Sequence, residues 1–339
     1  MSTMYCAVDL HSSNGYYGIV EKSGKRVFSR RIPNDIGKIL QALDQFKDKI
    51  NSIAVESTYN WYWLVDGLME NGYNVKLANP AAMEQYSGMK NTDDKTDAFF
   101  IAELLRLGIL PEGHIYPKEE RGIRDMLRRR IFFVQHRTAQ ILSLQNMMSR
   151  QSGKSFSIRD IQKMHFDEFK GILDNDDNMF MVKQNLDMIR ILSEKIKMLE
   201  NYILPKAEIK PEFLNIMSVP GIGKILGLTI MYETGDIFRF NNAGNYTSYC
   251  RCVKAEATSN QKKKGNNNRK NGNKYLSWAF VEAAHKMKHY CPQAQKFYDR
   301  KYDKKCGALA TKALAAKISK AVYYILKNNE EFDVKKMFG

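Results

Sequence analysis

Four carboxylates stand in three short segments within the first hundred residues of the chain. Asp9 and Glu56 each follow a short apolar run, and Asp94 and Asp97 stand three residues apart in a helical pattern. Residues three apart on a helix project from one face, so both acids can join the other two. Crowded carboxylates need a compensating cation, and their hard oxygen atoms favour Mg²⁺, with Mn²⁺ as an alternative. Two such ions can activate a nucleophile and stabilise the leaving oxygen of a phosphodiester.

The elements that must position these acids alternate in type along the chain. Apolar periodicity and turn residues predict strands over 4–10, 16–20, 26–29, 50–55 and 74–78, and helices over 36–46, 61–71 and 94–107. This is the element order of the ribonuclease-H-like fold. In that fold the first and fourth strands are neighbours, so Asp9 and Glu56 are expected to share one cleft. Taken singly, each acid can instead be a solvated surface charge or a helix cap.

These motifs resemble a known family. Val8-Asp9-Leu10-His11, Glu56-Ser57-Thr58 and Asp94-Lys95-Thr96-Asp97-Ala98 are similar to the RuvC-like N-terminal domain of the DEDD insertion-sequence transposases, described as bridge-RNA-guided recombinases. The resemblance implies Asp9, Glu56, Asp94 and Asp97 as the catalytic, metal-binding quartet. The family commonly has Lys directly before Thr-Asp, whereas this chain has Asn91-Thr92-Asp93 before Asp94. Asp93 is therefore an alternative to Asp94 in this register.

The charge distribution indicates a nucleic-acid partner. The chain of 339 residues has 53 Lys and Arg against 37 Asp and Glu, and residues 251–320 alone contain 18 basic and 4 acidic residues. A hydrophobic content of 44% is enough for packed cores in two or three domains. No apolar run approaches the roughly 20 residues of a membrane span, and the N-terminus does not resemble a signal peptide. We therefore expect a cytoplasmic protein without a membrane partner.

Two long helices are predicted after the first domain, over 118–151 and about 179–204, with Pro205 ending the second. Their apolar residues recur near heptad spacing, which predicts a helical hairpin that packs on itself or on a second subunit. The family resemblance implies a coiled coil used for dimerisation. The basic residues Arg128, Arg129 and Arg130 are predicted to contact an RNA or DNA backbone.

The C-terminal part contains two further phosphate-binding candidates. Pro220-Gly221-Ile222-Gly223 stands between two predicted helices, where Gly221 and Gly223 can present N–H groups to phosphate as in helix-hairpin-helix modules. A tight connection is the alternative. This turn also resembles the start of the family's C-terminal transposase domain. Residues 262–274 are predicted to be a flexible cationic loop without apolar residues, followed by a helix over 276–287. Its phosphate-contacting candidates are Lys262, Lys263, Lys264, Arg269, Lys270 and Lys274.

A serine nucleophile is implied by the resemblance alone. Ser259 occupies the place of the family's catalytic serine, although Asn260 stands where the family has glycine. Without the resemblance, Ser259 is an ordinary loop residue. A serine hydroxyl at this place can attack a phosphodiester and conserve the bond energy in a covalent protein–DNA ester. The carboxylate-bound Mg²⁺ would assist by polarising the phosphate.

The resulting prediction is an α/β plus α protein with three domains. Residues 1–117 form a ribonuclease-H-like (RuvC-like) metal-binding domain, 118–210 a helical coiled-coil spacer, and 211–339 a mainly helical C-terminal transposase domain. The predicted function is that of an insertion-sequence transposase or recombinase, a homo-oligomeric enzyme (dimer or tetramer) that cuts and rejoins donor and target DNA. Guidance by a non-coding bridge RNA follows from the resemblance alone.

Three other functions are compatible with some of these features. The first is a RuvC-like, metal-dependent, structure-selective DNA nuclease that forms no covalent intermediate. The second is a nucleic-acid-binding protein without catalysis. The third is a sugar-kinase-like or actin-like ATPase, because Val8-Asp9-Leu10 before a hairpin also opens that fold. That fold needs a second copy of itself and a second Gly-rich phosphate loop, and the sequence after residue 120 contains neither.

Overall fold

The structure is a computed structural model that describes residues 3–83, 93–173, 175–207, 210–253, 257–259, 262–265, 271–304 and 306–339. The chain divides into two compact units. The first comprises Met1–Lys118 with Asn267–Asn271, and the second comprises Glu119–Asn266 with Gly272–Gly339. The first unit is built on a mixed sheet, and the second is mostly helical.

The sheet of the first unit contains six strands. They are β1 (Met4–Leu10), β2 (Asn14–Glu21), β3 (Arg26–Pro33), β4 (Ile50–Glu56), β5 (Val75–Ala78) and β6 (Glu112–Gly113). Their order across the sheet is β3-β2-β1-β4-β5-β6. β1, β4 and β5 run parallel, whereas the pairs β1–β2, β2–β3 and β5–β6 are antiparallel. β1 and β4 are neighbours, as the sequence predicted, but β6 was not predicted because it is only two residues long.

Helices cover both faces of this sheet. They are α1 (Ile36–Leu43), continued by a 3-10 turn at Asp44–Phe46, α2 (Tyr62–Glu70), the single turn α3 (Pro80–Met83), and α4 (Asp94–Arg106). α1 and α2 pack on one face, where their leucines and isoleucines meet the larger apolar side chains of the strands. α4 packs on the other face. Each helix buries a single apolar stripe in this way, which is the arrangement its sequence periodicity predicts.

The face below α4 is lined by small residues. Ala7 and Ala54 are fully buried there beside Phe99, and a Cβ atom on Gly18 would lie 3.1 Å from the Phe99 ring. These small side chains let the helix approach the strands closely. Because successive strand residues point to opposite faces, Asp9 and Glu56 lie on the same face as Ala7 and Ala54. The packing of α4 therefore determines which face contains the predicted acidic site.

The second unit begins with an antiparallel pair of long helices. These are α5 (Lys118–Ser152) and α8 (Asp176–Lys206), and the shorter α6 (Ile158–Lys163) and α7 (Phe166–Lys170) lie between them in sequence. Arg130 pairs with Glu200 at 2.7 Å, and the Arg137 guanidinium donates to the Ser193 hydroxyl at 3.3 Å, which establishes the antiparallel register. The predicted hairpin therefore packs on itself.

Two details of this pair differ from the sequence prediction. The segment between the long helices contains α6 and α7, which were not predicted from the sequence. Ile161, Phe169 and Leu173 bury their side chains there in a small core shared with α5 and α8. Pro205 does not end α8, which continues to Lys206. Proline so near the end removes only one hydrogen bond of the last turn, and its fixed φ is compatible with helix.

The rest of the second unit is a helical bundle with one hairpin. Its elements are α9 (Pro211–Met217), α10 (Lys224–Thr234), a 3-10 turn at Ile237–Arg239, α11 (Ala243–Tyr249), β7 (Ala257–Ser259), β8 (Lys262–Gly265), α12 (Lys274–Tyr290), α13 (Pro292–Tyr302), α14 (Gly307–Asn328) and α15 (Val334–Phe338). Its core centres on Tyr246, Phe280 and Tyr323. Among the described helices, none combines the length and the apolar character that crossing a bilayer requires.

Candidate metal centre and nucleic-acid contacts

Residues from four neighbouring strands form one row across the sheet. Asp9 on β1 pairs with Tyr16 on β2, and Tyr16 pairs with Arg31 on β3. On the other side, Val8 pairs with Val55, so Glu56 follows in register with Asp9. Directly opposed residues share a face of the sheet. The row therefore reads Glu56, Asp9, Tyr16 and Arg31, with α4 on the same face.

The first turn of α4 brings two more acids to this row. Asp93 is the N-cap, and its Oδ1 accepts a hydrogen bond from the Thr96 amide at 2.7 Å. The Thr96 hydroxyl and amide together lower the pKa of Asp93. Asp94 and Asp97 follow as helical residues of the first turn. Asp93, the alternative ligand raised by the sequence, is thus engaged in capping, and Asp94 takes the position three residues before Asp97.

Three of the four acids crowd one another. Burial, a hydrogen bond with Asp9 and the charges of Asp9 and Asp97 raise the pKa of Glu56 to about 7. The pKa of Asp97 is also raised, first by burial and then by the charges of Asp9, Asp93 and Asp94. Asp9 is only 6% exposed. Within the described part of the chain, no Lys or Arg pairs with Glu56 or Asp97.

Asp94 has a different environment from the other three. Arg31 Nη2 lies 2.5 Å from Asp94 Oδ2, and His11 Nε2 lies 3.2 Å from the same oxygen. The hydrogen bond from Arg31, with the charges of His11 and Arg31, lowers the pKa of Asp94. Asp94 therefore already has a cationic partner, whereas Glu56 and Asp97 pair with no Lys or Arg of the described residues.

His11 stands between two of the acids and is not among the ligands predicted from the sequence. Its Nε2 lies 3.4 Å from Asp9 Oδ2 and 3.2 Å from Asp94 Oδ2. Among the described residues this buried nitrogen has no hydrogen bond of good geometry. The His11 carbonyl accepts hydrogen bonds from the amides of Asn34 at 3.1 Å and Asn60 at 2.9 Å, which hold the loop after β1. His11 in the motif Val-Asp-x-His was the sequence signal for this position.

The donor set fits a divalent cation. Asp9, His11 and Asp94 each offer one ligand atom within 4.8 Å of the others. Hard carboxylate oxygens are the ligands that Mg²⁺ and Mn²⁺ prefer. A bound cation would relieve the repulsion from Asp9 and Asp97 that, after burial, contributes to the raised pKa of Glu56. The arrangement can therefore hold a cation against an anionic substrate.

In the second unit, the basic cluster on α5 is largely engaged inside the protein. Glu233 of α10 is 1% exposed, and Arg124 Nε and Arg128 Nη2 donate to its carboxylate at 3.1 and 2.9 Å. The Asn273 amide donates to Glu233 Oε2 at 2.7 Å, and the Arg128 guanidinium lies 4.4 Å from the Tyr275 ring centroid. Arg128 therefore helps hold α5, α10 and α12 together.

The other two arginines of the predicted phosphate-binding cluster also differ from each other. Arg130 pairs with Glu200 of α8. Arg129 is exposed and lies over the Phe132 ring at 5.5 Å. Arg128 and Arg130 thus pair with internal carboxylates, and the contact of the three arginines with nucleic acid stays a prediction.

The Pro-Gly-Ile-Gly turn gives its two glycines different roles. Gly221 has a φ of +92°, and a Cβ atom there would lie 2.6 Å from the Met287 amide nitrogen on α12. Gly221 is thus required for close packing of the turn. Gly223 is the N-cap of α10, and a Cβ atom there would meet nothing within 4 Å. The open side of the turn is at Gly223, where the first N–H groups of α10 have no side-chain cap.

The predicted cationic loop contains a hairpin. Ser259 ends β7 and pairs with Lys262 of β8, and Thr258 pairs with Lys263. The prediction of a loop was wrong for β8 because a strand ladder is made by backbone groups and needs no apolar side chains. The Lys264 backbone lies in the same strand, whereas Arg269 and Lys270 lie outside the described residues.

The base of this loop is fixed at its C-terminal end. The Asn273 amide nitrogen donates to the Tyr249 carbonyl at 2.6 Å, and Arg251 Nε donates to the Gly272 carbonyl at 3.0 Å. Gly272 has a φ of +91°, and a Cβ atom there would lie 2.5 Å from the Tyr249 oxygen, so only glycine fits. Asn273 also caps α12, whose first residue is Lys274. Gly272 and Asn273 thus anchor the C-terminal end of this segment.

Comparison with known protein families gives two matches. Residues 6–151 match a model of DEDD transposases of the IS110 type, described as "Transposase". Residues 214–299 match a second model, described as "Transposase IS116/IS110/IS902 family". No curated protein matches the chain. The two ranges together span more than half of the chain, in the order that the sequence motifs predicted, and the DEDD type implies a divalent metal. The chain therefore belongs to the IS116/IS110/IS902 family of transposases, as a DEDD-type enzyme that acts on DNA.

Proposed function

We propose that Asp9, Glu56, Asp94 and Asp97 are the catalytic carboxylates of this transposase and hold Mg²⁺, which Mn²⁺ can replace. The observation that supports this most directly is the crowding of Glu56 with Asp9 and Asp97 in a partly buried place, where burial, the hydrogen bond with Asp9 and the like charges raise the pKa of Glu56 to about 7. A protein tolerates such crowding where a ligand relieves it. The sheet order β3-β2-β1-β4-β5 supports a ribonuclease-H-like, RuvC-like domain over residues 1–117.

In this proposal the chain's own residues prepare the site for a phosphodiester. Asp9 and Glu56 bind the metal from neighbouring strands, and Asp94 and Asp97 bind it from the first turn of α4. Asn34 and Asn60 hold the His11 backbone and thereby the loop that follows Asp9. When bound, the metal supplies Lewis-acid polarisation of the scissile phosphate.

We further propose that Ser259 is the nucleophile. The Ser259 hydroxyl gives up its proton as its oxygen bonds to phosphorus, the bond from phosphorus to a deoxyribose oxygen breaks, and that leaving oxygen takes up a proton to become a hydroxyl. Rejoining is the reverse reaction with the hydroxyl of a new strand end. Ser259 falls within the range matched by the second family model and lies opposite Lys262 in the β7–β8 ladder.

The nucleic-acid partners are donor DNA, target DNA and a non-coding bridge RNA. The proposed phosphate contacts lie after residue 118 in the sequence, the part of the chain that holds the excess of positive charge. They are made by Arg129, Gly223, Lys262, Lys263, Lys264, Arg269, Lys270 and Lys274. Several such contacts make binding steeply dependent on salt. Base pairing by the RNA leaves the choice of sequence to the nucleic acid, so the protein needs to read only the backbone.

A homo-oligomer, dimer or tetramer, completes the proposal. The face of α8 that points away from α5 exposes Met181, Met188, Ile191, Met198 and Tyr202. Their spacings of seven, three, seven and four residues are those of a coiled-coil seam. We therefore propose that residues 118–210 dimerise through this seam as a coiled coil, and that residues 211–339 form the transposase domain.

A trapped covalent intermediate tests the serine proposal. A suicide DNA substrate, with the RNA that copurifies with the protein, is expected to leave protein attached to a DNA end, with the adduct on the peptide containing Thr258 and Ser259. Ser259→Ala should give no adduct yet bind DNA almost normally, since one hydroxyl contributes only about 1 kcal/mol. Ser277→Ala on α12 is the matched control and should form the adduct at the normal rate.

Two outcomes would contradict the serine proposal. Cleavage by Ser259→Ala at the normal rate would remove the serine from the mechanism and favour the metal-dependent nuclease. An adduct on the peptide of Ser248 or Ser277 would keep the covalent mechanism and assign it to another serine.

A further inference from the structure

Arg31 is a basic residue that contacts one of the proposed metal ligands, Asp94. It lies on the edge strand β3, at the end of the row formed by Glu56, Asp9 and Tyr16. Arg31 Nη2 lies 2.5 Å from Asp94 Oδ2 and Nη1 donates to the Asn14 Oδ1 at 2.9 Å. Its Cζ is 5.7 Å from the Tyr16 ring centroid. Three neighbours thus hold the guanidinium at the border of the acidic cluster.

This placement makes Arg31 a competitor of the metal. The Asp94 oxygen that it contacts belongs to the set Asp9, His11 and Asp94, whose ligand atoms lie within 4.8 Å of one another. One carboxylate oxygen cannot serve both a close guanidinium and a divalent cation without cost, because the two positive groups repel. The Arg31 side chain is 51% exposed, so it can leave Asp94 and regain solvation readily.

The guanidinium also suits a second partner. Its planar fork matches the oxygens of a phosphate as well as those of a carboxylate. A strand end bound at the metal would bring phosphates next to the cluster, and Arg31 lies on the open edge of the sheet rather than below α4. Arg30 precedes it on β3 and projects from the opposite face, because successive strand residues alternate.

We propose that Arg31 is a positioning residue that neutralises Asp94 in the metal-free protein and moves to a nucleic-acid phosphate when the metal binds. The proposal rests on the proposed metal quartet. It predicts opposite effects of one substitution on two ligands: removing Arg31 strengthens metal binding and weakens binding of the nucleic-acid strand. If the Arg31–Asp94 ion pair were purely structural, removing Arg31 would not strengthen metal binding and weaken nucleic-acid binding together.

Mn²⁺ binding to the full-length protein without DNA tests the first effect, with free Mn²⁺ measured by electron paramagnetic resonance. Arg31→Gln should bind Mn²⁺ about three- to tenfold more tightly, the scale set by loss of a partly exposed ion pair and its charge. Arg30→Gln removes the same charge from the same strand and should stay within about twofold of the wild type. Arg31→Lys keeps the charge and should stay close to the wild type as well.

Binding of a DNA strand in Ca²⁺ tests the second effect. Arg31→Gln should bind more weakly and reduce the slope of log affinity against log salt by up to about one. Arg31→Lys should lose part of the affinity but keep the slope, because lysine contacts phosphate without the fork. Unchanged or weaker Mn²⁺ binding by Arg31→Gln, in a variant with normal thermal unfolding, would overturn the proposal.

One further variant separates this inference from the function on which it rests. Asp97→Asn should weaken Mn²⁺ binding at least about tenfold, because it removes a proposed ligand while leaving the Arg31–Asp94 pair intact. Normal Mn²⁺ binding by Asp97→Asn would contradict the metal quartet. Weakened binding by Asp97→Asn together with unchanged binding by Arg31→Gln would contradict the role of Arg31 alone.

Discussion

Glu56 in the first unit is partly buried and Glu233 in the second is fully buried, and their surroundings shift their pKa values in opposite directions. Burial and the nearby Asp9 and Asp97 raise the pKa of Glu56 to about 7. At Glu233, burial alone would raise the pKa, but the hydrogen bond from Arg128, the charges of Arg124 and Arg128 and the Asn273 amide lower it.

The difference separates a structural carboxylate from a functional one. Glu233 receives its compensating charges from fixed side chains of the same chain, so it links three helices without any ligand. Glu56 is surrounded by like charges and, among the described residues, pairs with no Lys or Arg. Within the acidic cluster, Arg31 pairs with Asp94 alone, and a cation from solution can compensate the charges of the other acids.

The largest expected effect is on DNA cleavage when Glu56 of the acidic cluster is replaced. Glu56→Gln should reduce DNA cleavage in Mg²⁺ by at least about 1,000-fold, because it removes a proposed metal ligand. DNA binding, measured at the same salt concentration, should stay within a few-fold, since the acid adds no attraction for phosphate. Glu112→Gln, on the exposed strand β6 of the same sheet, is the matched control and should cleave normally. Cleavage by Glu56→Gln within tenfold of the wild type would place Glu56 outside the reaction.

The next largest effect is expected on the free energy of unfolding when Glu233, whose charge is compensated by arginines, is replaced. Glu233→Ala should lower the free energy of unfolding by about 3–5 kcal/mol, because it leaves the buried Arg124 and the half-buried Arg128 without their carboxylate. Urea unfolding of the full chain, followed by circular dichroism, measures this. A loss below about 1 kcal/mol would show that the pair is no stronger than a surface ion pair.

The pH dependence of the same carboxylate has a definite sign. The folded-state pKa of Glu233 is lower than its unfolded value, so its stabilising contribution is present above the unfolded pKa of about 4.5 and is lost as the pH falls. The stability gap between the wild type and Glu233→Gln should therefore be constant near neutral pH and narrow below about pH 4.5. A gap that widens on acidification would contradict the direction of this shift.

The sequence predicted the strands and helices of the first unit well because their periodicity is strong. The sequence also predicted that Asp9 and Glu56 lie close together, because they stand near the ends of two neighbouring strands. It could not predict that Asp93 caps α4, because capping and metal binding use the same residue type. Which carboxylates receive internal cations depends on long-range contacts, such as Arg31 with Asp94 and Arg128 with Glu233, and no local pattern encodes them.

The same limit applies to the basic residues. Three consecutive arginines on α5 looked alike in the sequence, but helical geometry points Arg128, Arg129 and Arg130 in different directions. Only the packing of α5 against its neighbours shows that Arg128 and Arg130 meet carboxylates. Gly221 and Gly223 were likewise indistinguishable until the close approach of α12 was known.

The smallest expected effect is the most direct test of the comparison, because it predicts that losing a charge stabilises the protein. In EDTA at pH 8, Glu56→Gln should unfold at a higher urea concentration than the wild type. Its free energy of unfolding should be higher by roughly 1 kcal/mol, after allowance for the partial solvent exposure of Glu56. The reason is that the folded-state pKa of Glu56 is raised, so the wild-type protein loses stability as the pH rises through about 7. The advantage of Glu56→Gln should accordingly vanish below about pH 4.5, where the wild-type carboxyl is protonated in both states.

Saturating Mg²⁺ should reverse this order. The wild type gains free energy from binding the ion, about 2.7 kcal/mol at a concentration 100 times the dissociation constant, whereas Glu56→Gln gains much less. Glu233→Gln should show the opposite pattern, destabilised in EDTA and stabilised by Mg²⁺ as much as the wild type, since its carboxylate lies outside the metal centre. If Glu56→Gln is instead destabilised in EDTA to the same degree as Glu233→Gln, the two carboxylates play the same structural role, and the proposed metal centre loses its main physical support.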